Sequence, residues 1–171
     1  MLLAPAVAFV DLVLAVHILA VVIAFGSIFA FPMLFTAARR LDPSVLPWLL
    51  RARQTVGRYL VNPGLLIVLV AGIYLATDEH QWKAFYVQWG LGAVVVIGAI
   101  EGALIVRRSG RLATIAEQDV ASTSVPGGGR RTSATWSPKF ASGFRVLTVA
   151  GVVVQLIVIV TIFLMATHAG A

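Results

Sequence analysis

The segment from Asp11 to Pro32, DLVLAVHILAVVIAFGSIFAFP, sets the architecture of this chain. No charged residue occurs from Leu12 through Ala38, and about 20 apolar residues suffice for a helix to cross a bilayer. The segment contains one histidine, His17, a residue type that is uncommon inside an apolar span. It therefore predicts a transmembrane helix with one polar side chain that requires an explanation.

The composition extends this prediction to the whole chain. Of the 171 residues, 60% are hydrophobic and the mean hydropathy is +0.96, whereas soluble domains are usually about 45–50% apolar. The apolar residues are gathered in four blocks, which predicts an all-α polytopic membrane protein, a four-transmembrane-helix bundle forming one domain over 1–171. The predicted helices cover about 7–31, 56–76, 84–106 and 144–167, and the connections between them include long segments at 32–55 and 107–143.

The charged residues predict the orientation. The net charge is +6, and twelve basic residues lie in or beside the first and third connections, against Lys83 alone in the second. This asymmetry predicts a bacterial inner-membrane protein with both long connections cytoplasmic and both termini outside. Because the basic residues flank apolar blocks, the sequence argues against nucleic-acid binding. No Lys or Arg precedes Arg39, so a short leader at 1–6 does not resemble a cleaved signal peptide.

The two long connections carry local structure signals. Asp42-Pro43-Ser44 predicts the start of a short helix suited to the membrane interface, with leucines on one face at Leu46, Leu49 and Leu50. The first part of the third connection is predicted to be helical up to about Val120. Beyond it, VPGGGRRTS at 125–133 is typical of a mobile loop.

Several polar side chains fall within the predicted spans. Counting residues from the helix ends places them in an outer layer, a midplane position and an inner layer. The outer layer contains His17 and Gln88, the midplane Gln155, and the inner layer Arg58, Asn62 and Glu101.

His17 admits two interpretations. It is a ligand for haem or a metal, or a proton-transfer group, or else it is a neutral histidine hydrogen-bonded across the bundle to Gln88 or Gln155. No second histidine lies inside a predicted span. A haem at His17 therefore needs a different second ligand, a five-coordinate site or a partner chain.

The inner layer also admits a functional and a structural interpretation. Glu101 is a proton relay or cation site, or it forms a salt bridge with Arg58 or with the pair at 107–108. Asn62 is best explained as a structural cap beside Pro63, and Gln155 as a hydrogen bond between helices.

Gly98 and Gly102 form a Gly-x-x-x-Gly pair that permits close helix contact in lipid and offers a homo-oligomer interface. Motifs of soluble enzymes are absent from the sequence: there is no phosphate-binding loop, nucleophile elbow, carboxylate pair or zinc-ligand spacing. The chain also has no cysteine, which excludes disulfides, thiolate metal sites and thioether haem attachment. The sequence thus favours a protein that is not an enzyme.

Two stretches resemble a known group of proteins. AVHILAVVIAFGSIFAFPMLF (15–35) and RYLVNPGLLIVLVAGIYL (58–75) resemble the first two helices of HemJ-type protoporphyrinogen oxidases and CopD-type copper-resistance domains. The shared features are the early histidine, the Gly and Pro toward the inner end of the first helix, and the Asn-Pro that starts the second. The four-helix layout is also similar to a bacterial family described only as predicted integral membrane proteins.

The resemblance covers about 10–108 and implies haem b at His17. The HemJ-type proteins also carry a functional lysine early in the third helix, after a tryptophan. Here Trp82-Lys83 precedes the helix and Gln88 holds the position within the membrane, a departure that counts against porphyrinogen oxidation.

Three hypotheses follow. The first is a small membrane protein that binds a hydrophobic cofactor such as haem b through His17, with Gln88 beside it. The second is a subunit of an oligomeric transporter or channel, with a polar path formed by His17, Gln88, Gln155 and Glu101. The third is a porphyrinogen-oxidase-like membrane enzyme.

Overall fold

The computed structural model of the chain describes residues 8–123 and 136–168. Within these ranges the regular secondary structure is entirely helical, and four helices are long and apolar enough to cross a membrane. The predicted all-α four-helix membrane bundle is thereby confirmed. The predicted leader at 1–6 and the Gly-rich part of the predicted loop at 125–133 lie outside the described residues.

The first helix is longer than predicted. Helix α1 spans Phe9–Leu41 and passes through Pro32, where the sequence predicted an end. Proline in a helix interior removes one backbone hydrogen bond, but a transmembrane helix tolerates it when another group satisfies the freed carbonyl. Gln155 is that group here, as described below. The prediction that 32–55 forms a loop was therefore wrong for its first residues, which belong to α1.

The second span is one continuous helix from Pro43 to Asp78. A 3₁₀ turn at Pro43–Val45 leads into α2 at Leu46–Val56, a π-helical segment π1 at Gly57–Val61 and α3 at Asn62–Asp78. The predicted start signal is confirmed, because an Asp42 carboxylate oxygen accepts a hydrogen bond from the Ser44 backbone N–H at 3.0 Å. The short helix does not stop before the membrane, however, but continues into it.

The third span has the same construction. Helix α4 at Phe85–Ala99 leads into a π-helical segment π2 at Ile100–Val106 and then α5 at Arg107–Thr123. The prediction of helix up to about residue 120 is confirmed. Helix α6 spans Pro138–Thr167, six residues earlier than its predicted start, because the Ser137 hydroxyl caps it by accepting from the Phe140 backbone N–H at 3.3 Å.

The four spans, of 30 to 38 residues, are longer than a bilayer requires. At about 1.5 Å per residue, helices of this length exceed the hydrocarbon thickness of about 30 Å. Basic residues are concentrated in what we call the Arg-rich end: the end of α1, all of α2 and α5, and the start of α6. The predicted leucine face of α2 is buried, but it packs within this end rather than on the membrane interface. It forms a cluster with side chains of α5: Leu46, Leu49, Leu50, Leu112, Ala113 and Ala116.

Polar contacts tie the Arg-rich end together. Arg51 of α2 makes a two-point ion pair with Glu117 of α5, with N–O distances of 2.6 and 2.7 Å. Asp119 of α5 accepts hydrogen bonds from the backbone N–H and the hydroxyl of Ser137, at 3.0 and 2.9 Å. These contacts hold α5 against α2 on one side and against the start of α6 on the other.

The membrane-spanning part has the surface expected of a protein solvated by lipid. Large apolar side chains face outward along the spans, for example Val22, Val70, Leu156 and Phe163, each more than half exposed. A soluble protein rarely leaves such a continuous apolar surface uncovered. The interior is filled mainly by aliphatic and phenylalanine side chains from all four spans.

Candidate functional site

His17 lies in the seam between α1 and α3. Its ring packs against Gly72: a Cβ at residue 72 would lie 3.4 Å from the ring Cε1 and 3.8 Å from Nδ1. The absence of a side chain at Gly72 therefore lets the imidazole approach the backbone of α3. The ring is half-buried, and it interacts with the backbone of Val68, one turn earlier on α3.

Neither glutamine that the sequence offered as a partner binds His17. Gln88 is exposed and its side-chain amide donates to the Trp82 backbone carbonyl at 3.1 Å. Gln155 donates to the Ile28 carbonyl at 3.2 Å. The Nδ1 atom of His17 is buried and makes no hydrogen bond of standard geometry with the described residues. The predicted hydrogen bond from His17 to either glutamine was thus wrong.

The partner of Gln155 has a chemical explanation. Ile28 lies four residues before Pro32, so its carbonyl is the acceptor that the missing proline N–H leaves free. The side-chain amide of Gln155 supplies the donor from α6. Gln155 therefore has the interhelical role, and it explains how α1 continues through Pro32.

The inner layer is organised by an ion pair between Arg53 and Glu101. The Arg53 Nη2 lies 2.7 and 2.8 Å from the two carboxylate oxygens, and the residues are only 5% and 0% exposed. The guanidinium carbon also lies 5.1 Å from the centre of the Phe31 ring, within range of a cation–π contact. The structural interpretation of Glu101 holds, but with a different arginine.

Arg58, the predicted partner of Glu101, is exposed and lies over the Tyr59 ring at 5.8 Å. The reason is that α2 and π1 are continuous, which places Arg53, Gly57 and Val61 on one buried face. Arg58 lies beside this face rather than on it. The alternative pair at 107–108 is also exposed.

Asn62 does not cap a helix, because the helix runs through it from π1 into α3. Its backbone N–H donates to the Gly57 carbonyl in the π-helical pattern, five residues back. Its side-chain oxygen is buried without a hydrogen-bond partner among the described residues. Its amide nitrogen lies 3.6 Å from where a Cβ of Gly102 would be.

Gly102 therefore serves a contact within the chain. Gly98, the other glycine of the Gly-x-x-x-Gly pair, has open space where its Cβ would be. The homo-oligomer interface at this pair stays a prediction.

Sequence reasoning missed Arg53, Gly57 and Gly72. A signal for Arg53 was present, since the buried leucines of α2 and Gly57 share its helical face once α2 is taken as continuous with the membrane span. Gly72 carried no such signal, because its role depends on which residue of α1 faces it.

In the part of the chain that the structure describes, cavities open at the Arg-rich end, and His17 does not line them. In the described part of the chain, no group of three or more His, Cys, Asp or Glu side chains is placed to hold a metal ion. Comparisons with family models, with curated proteins and with solved structures gave no match. Fold and site thus define the class as a four-helix membrane protein with a half-buried histidine and a buried ion pair.

Proposed function

We propose that this protein binds a hydrophobic cofactor such as haem b through His17, in a bacterial inner membrane with the Arg-rich end cytoplasmic. The observation that carries the proposal is the position of His17: a half-buried histidine within a membrane span that neither candidate glutamine bonds, because both bond elsewhere. A polar group left this way inside a membrane is costly and is characteristic of functional positions. The distribution of basic residues supports the orientation.

The surroundings of His17 fit a flat apolar group. Gly72 leaves room for the imidazole beside α3, and exposed apolar side chains on α1, including Leu14 and Ile18, flank the histidine. Phe9 and Tyr74 stack edge to face across the same α1–α3 seam at 5.6 Å between ring centres. His17 would hold the haem iron through its imidazole.

When bound, a haem would supply one-electron chemistry through its iron. The part played by this chain is to hold the imidazole in one place, since Gly72 and the Val68 backbone fix where the ring packs. The lipid-facing surface of α1 and α3 keeps water away from the site. Gln88, which the sequence placed beside the cofactor, bonds to its own loop and is not part of this proposal.

The test is a haemin titration of purified protein in detergent, followed by absorption spectroscopy. The wild type is expected to develop a shifted Soret band that saturates, and His17→Ala to lose it. A Soret band that is unchanged in His17→Ala would overturn the proposal.

The control variant is His80→Asn. His80 lies in the exposed loop between α3 and α4, and its backbone φ of 55° is a left-handed conformation that asparagine tolerates. It should leave the spectrum unchanged. Helix content and melting temperature must match the wild type in both variants, so that loss of the band reports binding and not unfolding.

The other two hypotheses have less support. A transport path needs polar groups free to contact a solute, whereas Glu101 is paired with Arg53 and both glutamines bond to backbone carbonyls. A porphyrinogen-oxidase-like activity would use the same histidine, and nothing in the geometry of Gln88 or Lys83 favours it over cofactor binding alone.

A further inference from the structure

A cleft opens between α1 and α6 in the Arg-rich half of the bundle. It encloses about 160 Å³ and is lined on α1 from Ile28 to Arg39, a stretch of about 16 Å at the helical rise. Arg39, Phe144 and Thr148 also line a second cavity of about 380 Å³, which Trp136 and Arg145 border. The two cavities share these lining residues and are neighbours, and we call them together the groove.

A residue that lines this groove has a buried hydrogen-bond donor without a partner. Arg53 lines the inner cavity and is 5% exposed. Its Nη2 is bonded to both oxygens of Glu101, but its Nη1 is buried and has no partner among the described residues. Because Glu101 already neutralises the guanidinium, the group that best satisfies Nη1 is a neutral acceptor, such as an ester carbonyl.

The mouth of the groove is positive. Arg39 and Arg145 line the outer cavity and are exposed, and the Arg39 guanidinium carbon lies 5.4 Å from the Phe144 ring centre. Among the described residues, no Asp or Glu lines either cavity. Trp136 beside them is a residue type that favours the membrane interface. This end of the groove therefore favours an anionic group at headgroup depth.

We propose that the groove between α1 and α6 is a binding site for one anionic phospholipid of the surrounding bilayer. Its phosphate binds Arg39 and Arg145, an ester carbonyl accepts from Arg53 Nη1, and an acyl chain lies along Ile28, Gly151 and Val152. This site is separate from His17, which lines neither cavity. Loss of cofactor binding would leave it unaffected.

The test is native mass spectrometry of delipidated protein in detergent, with equal amounts of dioleoyl-phosphatidylglycerol and dioleoyl-phosphatidylcholine. Two arginines at the surface should favour the anionic lipid by about 30-fold in the wild type. The Arg39→Gln/Arg145→Gln double variant should bring the ratio close to one. Equal retention of both lipids by the wild type would overturn the proposal.

Gly151→Leu tests the acyl-chain position. A Cβ at residue 151 meets no atom within 4 Å, so leucine fits the fold but fills the groove and should lower retention of both lipids. Gly92→Leu is the matched control, since Gly92 is equally open and lines neither cavity. Equal retention by the two variants would contradict the assignment. If Gly151→Leu proves unstable, the lipid preference of the Arg39→Gln/Arg145→Gln variant alone tests the proposal. That variant should stay folded because both arginines are exposed.

Two further lipids test the remaining contacts without changing the protein. An ether-linked phosphatidylglycerol lacks ester carbonyls and should bind more weakly than its ester counterpart; equal binding would remove Arg53 from the site. Oleate, a single-chain acid, should not displace phosphatidylglycerol at equal concentration. Displacement by oleate would identify a fatty acid as the occupant and overturn the phospholipid assignment.

Discussion

Glu101 and Arg53 lie where water is excluded by Phe31 and by the facing helices. Each charge pays a large desolvation cost, which their mutual attraction offsets only while both are present. Each member of the pair therefore depends on the other, because removing one leaves the other charge buried without a partner.

We expect Arg53→Ala and Glu101→Ala each to lower the free energy of unfolding by about 3–5 kcal/mol. The Arg53→Met/Glu101→Met double variant should lose less than either single change, because no uncompensated charge remains. The measurement is denaturant unfolding in mixed micelles, followed by circular dichroism. Arg58→Ala is the control and should change little, since Arg58 is exposed. Equal effects at Arg53 and Arg58 would contradict the pairing.

The contribution of Gln155 to stability depends in the same way on Pro32. Gln155→Leu should cost about 1 kcal/mol, because it leaves the Ile28 carbonyl without a donor. In a Pro32→Ala background, residue 32 regains a backbone N–H and the same Gln155→Leu change should cost less. The measurement is a double-mutant cycle on unfolding free energies. Additive effects of the two changes would show that the amide does not serve the carbonyl freed by proline.

Among the helical elements, the two π-helical segments face each other. The polar residues of the inner layer lie in or beside these segments. Segment π1 ends at Val61, two residues before Pro63, whose ring and missing N–H disturb the preceding turn. A π turn is one way in which a helix absorbs such a disturbance. Because of these segments, the residues beyond them are rotated relative to an uninterrupted α-helix.

Substitution by alanine should change stability differently at Gly57 and at Gly102. A Cβ at residue 57 would lie 2.6 Å from Val106 Cγ2, whereas at residue 102 the nearest atom is Asn62 Nδ2 at 3.6 Å. Gly57→Ala should therefore destabilise the protein by about 1–3 kcal/mol, and Gly102→Ala should be tolerated. Thermal melts in detergent compare the two. The reverse order would mean that π1 and π2 do not pack as described.

The spans were predictable from the sequence because hydropathy averages over many residues. The ends of the helices were not: Pro32 and the basic residues argued for loops, and only the contact of Gln155 with Ile28 and the packing of α2 on α5 explain why helix continues. The partner of Glu101 was missed for the same reason, since placing Arg53 required knowing that α2 joins the span.

At the scale of the whole molecule, the orientation remains a prediction from charge. The chain has no cysteine, so single cysteines can be introduced without removing any. With the Arg-rich end cytoplasmic, Glu79→Cys in the α3–α4 loop should react with a membrane-impermeant maleimide in intact cells. Ser122→Cys near the end of α5 should react only after permeabilisation. The opposite pattern would reverse the proposed topology.

The candidate cofactor site was predictable in part. The sequence singled out His17, because a histidine stands out in an apolar helix, but it could not show that Gly72 faces the ring or that both glutamines bond elsewhere. Those facts depend on how α1, α3 and α6 pack, and they exclude the two glutamines as hydrogen-bond partners of His17.

The measurement that tests this central claim most directly is the haem content of the protein purified from cells supplied with a haem precursor, compared with His17→Ala at matched expression and melting temperature. We expect haem in a fixed ratio to the wild-type chain, and its loss from the variant. Absence of haem from the wild type, or equal haem in both proteins, would contradict it.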